Sequence, residues 1–132
     1  GLKGAEAITM AIYFALHGKD KDFIGSYTRE HYYPDMNFTI AEIRPTYNFD
    51  ETCPGSVPQA IEAFLEGKDF EDTIRLAISL GGDSDTIAAM AGAIAQPYFG
   101  IPEIMQEKAL TYLKEDLRAI VKAWLAKYPS IL

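Results

Sequence analysis

Leu80-Gly81-Gly82-Asp83-Ser84-Asp85-Thr86-Ile87-Ala88-Ala89-Met90-Ala91-Gly92-Ala93-Ile94-Ala95 is the stretch on which the reading of the fold turns. A glycine pair ends whatever precedes it, two aspartates and a threonine follow, and then comes a run of small and apolar residues with helix-forming alanines. The run predicts a helix whose neighbours approach closely. Gly92 in its interior costs about 1 kcal/mol relative to alanine, so close backbone packing must offset it.

The acidic mouth of that helix carries the chemistry. One aspartate at a helix start is a cap, favoured by the exposed N–H groups and the helix dipole. Asp83, Asp85 and Thr86 together bring three oxygens toward one point at the cost of mutual repulsion, which a divalent cation relieves. With no Cys or His nearby in sequence, the donor set points to magnesium, manganese or calcium rather than zinc. An EF-hand is excluded because Ile87, Ala89 and Ala91 stand where further oxygen ligands would be needed. An Asp-x-Asp phosphatase motif at the end of a short Ile78-Ser79-Leu80 strand stays open as the lesser alternative.

Working outward, the residues before the glycine pair read as helices. Ala5 to Leu16 is apolar on nearly every face, which predicts a helix surrounded by others and stopped at Gly18. Asp20 caps a second helix with Phe23, Ile24 and Tyr27 on one stripe, ending near Tyr32-Tyr33-Pro34. Asp35 to Cys53 reads as an ordered aromatic loop with one capped turn at Thr39 and Glu42. Ser56-Val57-Pro58-Gln59 reads as a helix start, with Ser56 at the N-cap and Pro58 in the first turn. Asp69 caps the next helix, with a stripe of Phe70, Ile74, Ala77 and Ile78.

After the alanine run, Pro97 to Pro102 is expected to turn the chain. A last helical stretch then starts at Pro102-Glu103, breaking near Leu110-Thr111, with Leu113, Leu117, Ile120, Val121, Trp124 and Leu125 on a core stripe. The architecture is all-α, a compact multi-helix bundle of about seven helices, and 132 residues predict a single domain over 1–132.

Composition narrows the class. Twelve basic against 19 acidic residues give a formal charge of −7, with no Lys/Arg cluster to follow a phosphate backbone, so direct nucleic-acid binding is not expected. The apolar N-terminal segment is too short to span a bilayer and is interrupted by Glu6. The lone Cys53 asks for no oxidising compartment, and a cytoplasmic location is expected. Cys53 reads as a small hydrophobe, and His17 and His31 as structural.

The run from Leu80 to Ala88, continued by Met90 to Ala95 and by Tyr98-Phe99-Gly100-Ile101-Pro102, resembles the C-terminal signature of the ADP-ribosylglycohydrolase family. Gly55-Ser56-Val57-Pro58-Gln59-Ala60-Ile61 is similar to that family's loop before its substrate-side helix. The resemblance implies an orthogonal all-α bundle and a hydrolase removing ADP-ribose from a modified protein or small molecule. It further implies two Mg2+ or Mn2+ ions, with Asp83, Asp85 and Thr86 among their ligands and Asp85 as the bridge. Gly55, Ser56 and Val57 would face the diphosphate, and Tyr47 or Phe49 the adenine. The family's acidic catalytic residue and its further Thr/Ser-Asp-Asp motif are not found in these residues, so the chain is expected to be the C-terminal portion of such an enzyme. It would be completed by a missing N-terminal half or by homo-oligomerisation, the alternative being a catalytically inactive module that binds metal or ADP-ribose.

Overall fold

Residues 1–128 are described by the computed structural model of the chain, and they contain eight helices and no strand. The chain forms two compact units, one over Gly1–Phe99 and one from Gly100 onward.

The first unit holds six helices. Helix α1 (Leu2–Leu16) ends where Gly18 takes φ +69°, with the Gly18 amide on the Ala15 carbonyl and the Lys19 amide on that of Phe14. That pair of bonds closes the helix as a left-handed glycine stop. The sequence expectation of a helix buried all round is only half met. Gly4, Ala7, Ala11, Phe14 and Ala15 face inward, while Tyr13 and Leu16 are exposed.

Helix α2 (Lys21–His31) is capped by Asp20, whose carboxylate accepts from the Phe23 amide at 2.8 Å. Of the expected stripe Ile24 is fully buried and Tyr27 packs on the core, while Phe23 is exposed and Gly25 and Thr28 complete the buried side. Helix α3 (Ile40–Ile43) is the capped turn expected from Thr39 and Glu42.

Helix α4 (Cys53–Glu66) corrects the sequence reading. Its N-cap is Thr52, whose hydroxyl accepts from the Gly55 amide at 3.2 Å, and Pro54 occupies the first turn. Ser56 and Pro58 are therefore inside the helix. Both Thr52 and Ser56 have a proline two residues on, and the earlier one wins because the turn it adds packs Cys53 against Gly4 of α1 at the edge of the core.

Helix α5 (Phe70–Ser79) is capped by Asp69 as expected, and its helical hydrogen bonds remove the strand reading of Ile78-Ser79-Leu80. Its buried residues are Thr73 and Ala77, and Ile78 turns outward. Helix α6 (Ser84–Phe99) continues through Pro97 and stops at Gly100 with φ +76°, later than the expected turn at Pro97. It packs on α5, α4 and α1. A Cβ placed at Gly92 would lie 3.0 Å from Ile74 Cδ1, so the missing side chain makes room for Ile74 of α5 against α6.

The unit has two cores divided by α4 and α6. One gathers Ala7, Ala11, Phe14, Ile24, Met36, Val57, Ile61, Phe64 and Ile94. The other gathers Ile40, Ala60, Ala63, Ala77, Leu80, Ile87 and Ala91, directly beneath the mouth of α6. Each fully buried Ile or Phe contributes roughly 1.5–3 kcal/mol relative to exposure, so these two clusters hold the first unit together.

The second unit pairs α7 (Glu103–Tyr112) with α8 (Glu115–Lys127), and the break at Leu113-Lys114 falls slightly later than expected. Arg118 donates from Nε to the Leu110 carbonyl at 3.0 Å and from Nη2 to that of Leu113 at 3.0 Å, closing the C-terminal end of α7. No residue of either helix is buried among the described residues, and Trp124 is 55% exposed, which corrects its assignment to a core stripe.

Candidate functional site

Gly81 and Gly82 both take left-handed backbone, at φ +71° and +58°. Leu80, 4% exposed, anchors the chain before this turn, and Ile87, fully buried, anchors it after. Between two buried anchors the intervening residues have little freedom, and the turn delivers Asp83 to the head of α6. The Ile87 amide bonds the Asp83 carbonyl at 3.1 Å, the first bond of the helix. The Thr86 hydroxyl donates to Asp83 Oδ1 at 2.9 Å, so these two candidate ligands are held together. Asp83 is half-buried, whereas Asp85 and Thr86 are exposed in the first turn.

A second segment closes on this mouth. A Cβ built on Gly82 would stand 3.0 Å from Tyr47 Cε1, 3.1 Å from Phe49 Cα and 3.2 Å from the Asn48 carbonyl oxygen. The loop therefore crosses directly over Gly82, which only a residue without a side chain permits. The Tyr47 hydroxyl donates to the Gly55 carbonyl at 2.7 Å, tying the same loop to the first turn of α4. Burial raises the Tyr47 phenol above its ordinary pKa, and the carboxylates of Asp50 and Asp83 add to the rise.

Asp50 completes the junction. Its Oδ1 accepts the Thr52 amide at 2.8 Å, and its carboxylate occupies the space where a side chain on Gly55 would be. Hydrogen bonds from Thr52 hold the Asp50 carboxyl below its usual range. Three segments thus meet: residues 47–50, the start of α4 at Thr52 to Gly55, and the glycine turn before α6.

Of the residues singled out from sequence, Tyr47, Phe49 and Gly55 line one open groove of about 550 Å³, together with Phe38, Asp50 and Gln59. Phe49 is 66% exposed and presents a free ring, while Tyr47 is half-buried and engaged. Ser56 and Val57 lie elsewhere. The Ser56 hydroxyl bonds the Thr52 carbonyl at 2.8 Å, and Val57 packs beside Gly4 of α1 at 3% exposure. A neighbouring groove of similar volume, lined by Gly4, Tyr33, Phe38, Cys53 and Gln59, shares Phe38 as a wall.

Sequence reasoning missed Asp50 and Thr52. The signal was present in Pro54, which two residues after a threonine marks that threonine as a cap. His17 and His31 each place Nδ1 on the carbonyl four residues back, at 2.7 and 3.0 Å, in keeping with structural roles. Among the described residues no group of three or more His, Cys, Asp or Glu side chains is gathered to hold a metal ion. The oxygens of Asp83, Asp85 and Thr86 are of a kind that suits a hard cation, and three such donors are fewer than a hard cation's full shell.

A family model described as ADP-ribosylglycohydrolase matches residues 1–130. The chain belongs to this family. Its relatives include the human ADP-ribosylhydrolase ARH3, 41% identical over 78 residues that make up 48% of this chain and 22% of the human protein. A zebrafish (Danio rerio) ADP-ribosylhydrolase ARH3 is 59% identical over 34 residues, 26% of this chain and 9% of that protein. An uncharacterized protein of Archaeoglobus fulgidus is 48% identical over 48 residues, 36% of this chain and 16% of that one. The chain thus spans about a fifth of the length of the mammalian ADP-ribosylhydrolases it matches. No solved structure matches the chain. Within the family's all-helical frame, no helix of the described residues is long and apolar enough to cross a membrane.

Proposed function

We propose that this chain carries one side of the active site of a divalent-metal-dependent hydrolase that releases ADP-ribose from a modified protein or small molecule. The observation that carries the reading is the meeting of the Tyr47 to Asp50 loop with the glycine turn that presents Asp83, within a chain of the ADP-ribosylglycohydrolase family. That junction sets an exposed aromatic ring and a groove beside an oxygen-rich helix mouth.

In this reading Asp83, Asp85 and Thr86 hold Mg2+ or Mn2+, with two ions in the complete site. Bound there, the metal supplies charge stabilisation and orients ribose hydroxyls and water. The chain's own residues do the rest of the positioning. Thr86 fixes the Asp83 carboxylate by its hydrogen bond. Phe49 offers its ring for stacking on the adenine, and Gly55, whose missing side chain leaves room for the Asp50 carboxylate, lines the same groove. The acidic catalytic residue is supplied from outside these residues, and the working location is cytoplasmic.

The test is calorimetric titration of the chain with MgCl2 or MnCl2 and ADP-ribose, comparing wild type with Asp85→Ala. Metal-dependent ADP-ribose binding that Asp85→Ala abolishes is the expected result. Binding that persists unchanged without Asp85 would sink the ligand assignment, and binding with no hydrolysis after the remainder of the family domain is supplied would favour an inactive binding module.

A further inference from the structure

Helix α4 carries two glutamates one turn apart, Glu62 and Glu66, that secure the chain between α2 and α3. Glu66 does so directly, its Oε1 accepting the Ile40 amide at 2.6 Å. Glu62 acts through Arg29, whose Nη2 is 3.7 Å from Glu62 Oε2 and whose Nε donates to the Met36 carbonyl at 2.9 Å. Residues 36–40 are therefore held to α4 at both ends, and between the two attachments stands Phe38, which lines both grooves.

The two attachments differ in kind. The Glu66 bond is an ordinary hydrogen bond to an amide. Glu62 has a side chain only 9% exposed, and among the described residues its Oε2 has no hydrogen-bond partner and Arg29 is the cation paired with it. Arg29 is 38% exposed and lies across Gly25, where a Cβ would come within 2.9 Å of its Nη1. The guanidinium thus has solvent on one side and the buried carboxylate on the other.

We propose that Glu62 and Arg29 form a proton-operated strap on residues 36–40. With Glu62 ionised the guanidinium is drawn inward onto the Met36 carbonyl. When Glu62 takes a proton from solvent, the guanidinium turns outward and the wall carrying Phe38 loosens. The strap does not depend on the hydrolase reading.

Burial raises the Glu62 carboxyl to about 7, with Arg29 opposing the rise and Glu66 adding to it, so the strap responds near neutral pH. The charges of the other elements against α4 are engaged away from Glu62. Glu6 of α1 faces Tyr32, and Lys21 of α2 sits on the Leu65 and Gly67 carbonyls. His31 of α2 bonds the Tyr27 carbonyl, and Glu42 of α3 bonds Thr39. Asp72 of α5 bonds the Lys68 amide, and Asp85, the one charged residue of α6, is exposed at its mouth.

The test is nuclear magnetic resonance of the labelled chain between about pH 5.5 and about pH 8.5, a range that brackets the titration. The Arg29 Nε–H group and the Phe38 and Thr39 amides are followed in wild type, Glu62→Gln and Arg29→Lys. In wild type all three should move with one midpoint near 7, and amide protection over 36–39, corrected for intrinsic exchange, should fall about tenfold toward the acid end. Glu62→Gln should show the loose state at every pH. In Arg29→Lys the Glu62 carboxyl should still titrate, seen by its carbon resonance, while Phe38 and Thr39 no longer follow it. The same titration in Glu62→Gln as in wild type would assign it to a group other than Glu62 and overturn the strap. So would a loop that still follows Glu62 in Arg29→Lys, an arm that decides alone if Glu62→Gln fails to fold.

Discussion

Replacing Gly81 and Gly82 by alanine, one at a time, separates backbone strain from loop contact at the head of α6. Both residues sit at positive φ, +71° and +58°, so each alanine meets the left-handed penalty of roughly 1–2 kcal/mol. Part of that is offset because alanine also restricts the unfolded chain, by about 0.4–1 kcal/mol. Gly81→Ala meets no atom within 4 Å and should lose about 1 kcal/mol. Gly82→Ala meets Phe49 Cα at 3.1 Å and the Asn48 carbonyl at 3.2 Å, both backbone, besides the Tyr47 ring at 3.0 Å. Backbone cannot rotate away, so the loop must shift, adding roughly 1–3 kcal/mol of overpacking. Urea unfolding followed by far-ultraviolet circular dichroism measures both. Equal losses in the two variants would refute the conclusion that the Tyr47 to Asp50 loop packs on Gly82, and with it the geometry of the candidate site.

Three further outcomes follow from named contacts. The Glu62 carboxyl lies at about 7 in the fold against 4.5 as its ordinary value, so its stabilising contribution is fully present below about 4.5 and is lost as pH rises through about 7. At 1.36 kcal/mol per unit the loss is roughly 3 kcal/mol, and urea midpoints across that range should fall for wild type and stay level for Glu62→Gln. Thr52→Ala should cost about 1 kcal/mol as the loss of a helix cap, and Ser56→Ala less, because the Ser56 hydroxyl bonds the Thr52 carbonyl and satisfies no free amide of the first turn. The reverse order would move the start of α4 back to Ser56. Phe64→Ala, at a fully buried position touching Tyr98 and Phe99, should cost about 3–5 kcal/mol by thermal unfolding, and a loss below 1 kcal/mol would contradict its place in the core.

The helices could be read from local signals because each signal is complete within a few residues. Asp20, Thr39 and Asp69 cap helices in the structure as their spacing indicates, since a side chain reaching an amide two or three positions ahead needs no distant partner. Thr52 and Ser56 offered two such starts, and local chemistry could not rank them. Burial of the added turn against α1 decided it.

Sequence alone determined the family, the all-helical frame and the glycine turn that leads to Asp83 and Thr86. Those depend on residue type and on neighbours along the chain. Only the tertiary structure decided that the Tyr47 to Asp50 loop passes over Gly82, that Asp50 fills the space beside Gly55, and that Ser56 and Val57 point into the packing. It also turned Trp124 and Ile78 outward and set Arg29 beside the buried carboxylate of Glu62. The glycine turn and its loop are more than 30 residues apart in the chain, and a contact at that separation is chosen by which surfaces fit once the helices have packed, a quantity that no local pattern contains.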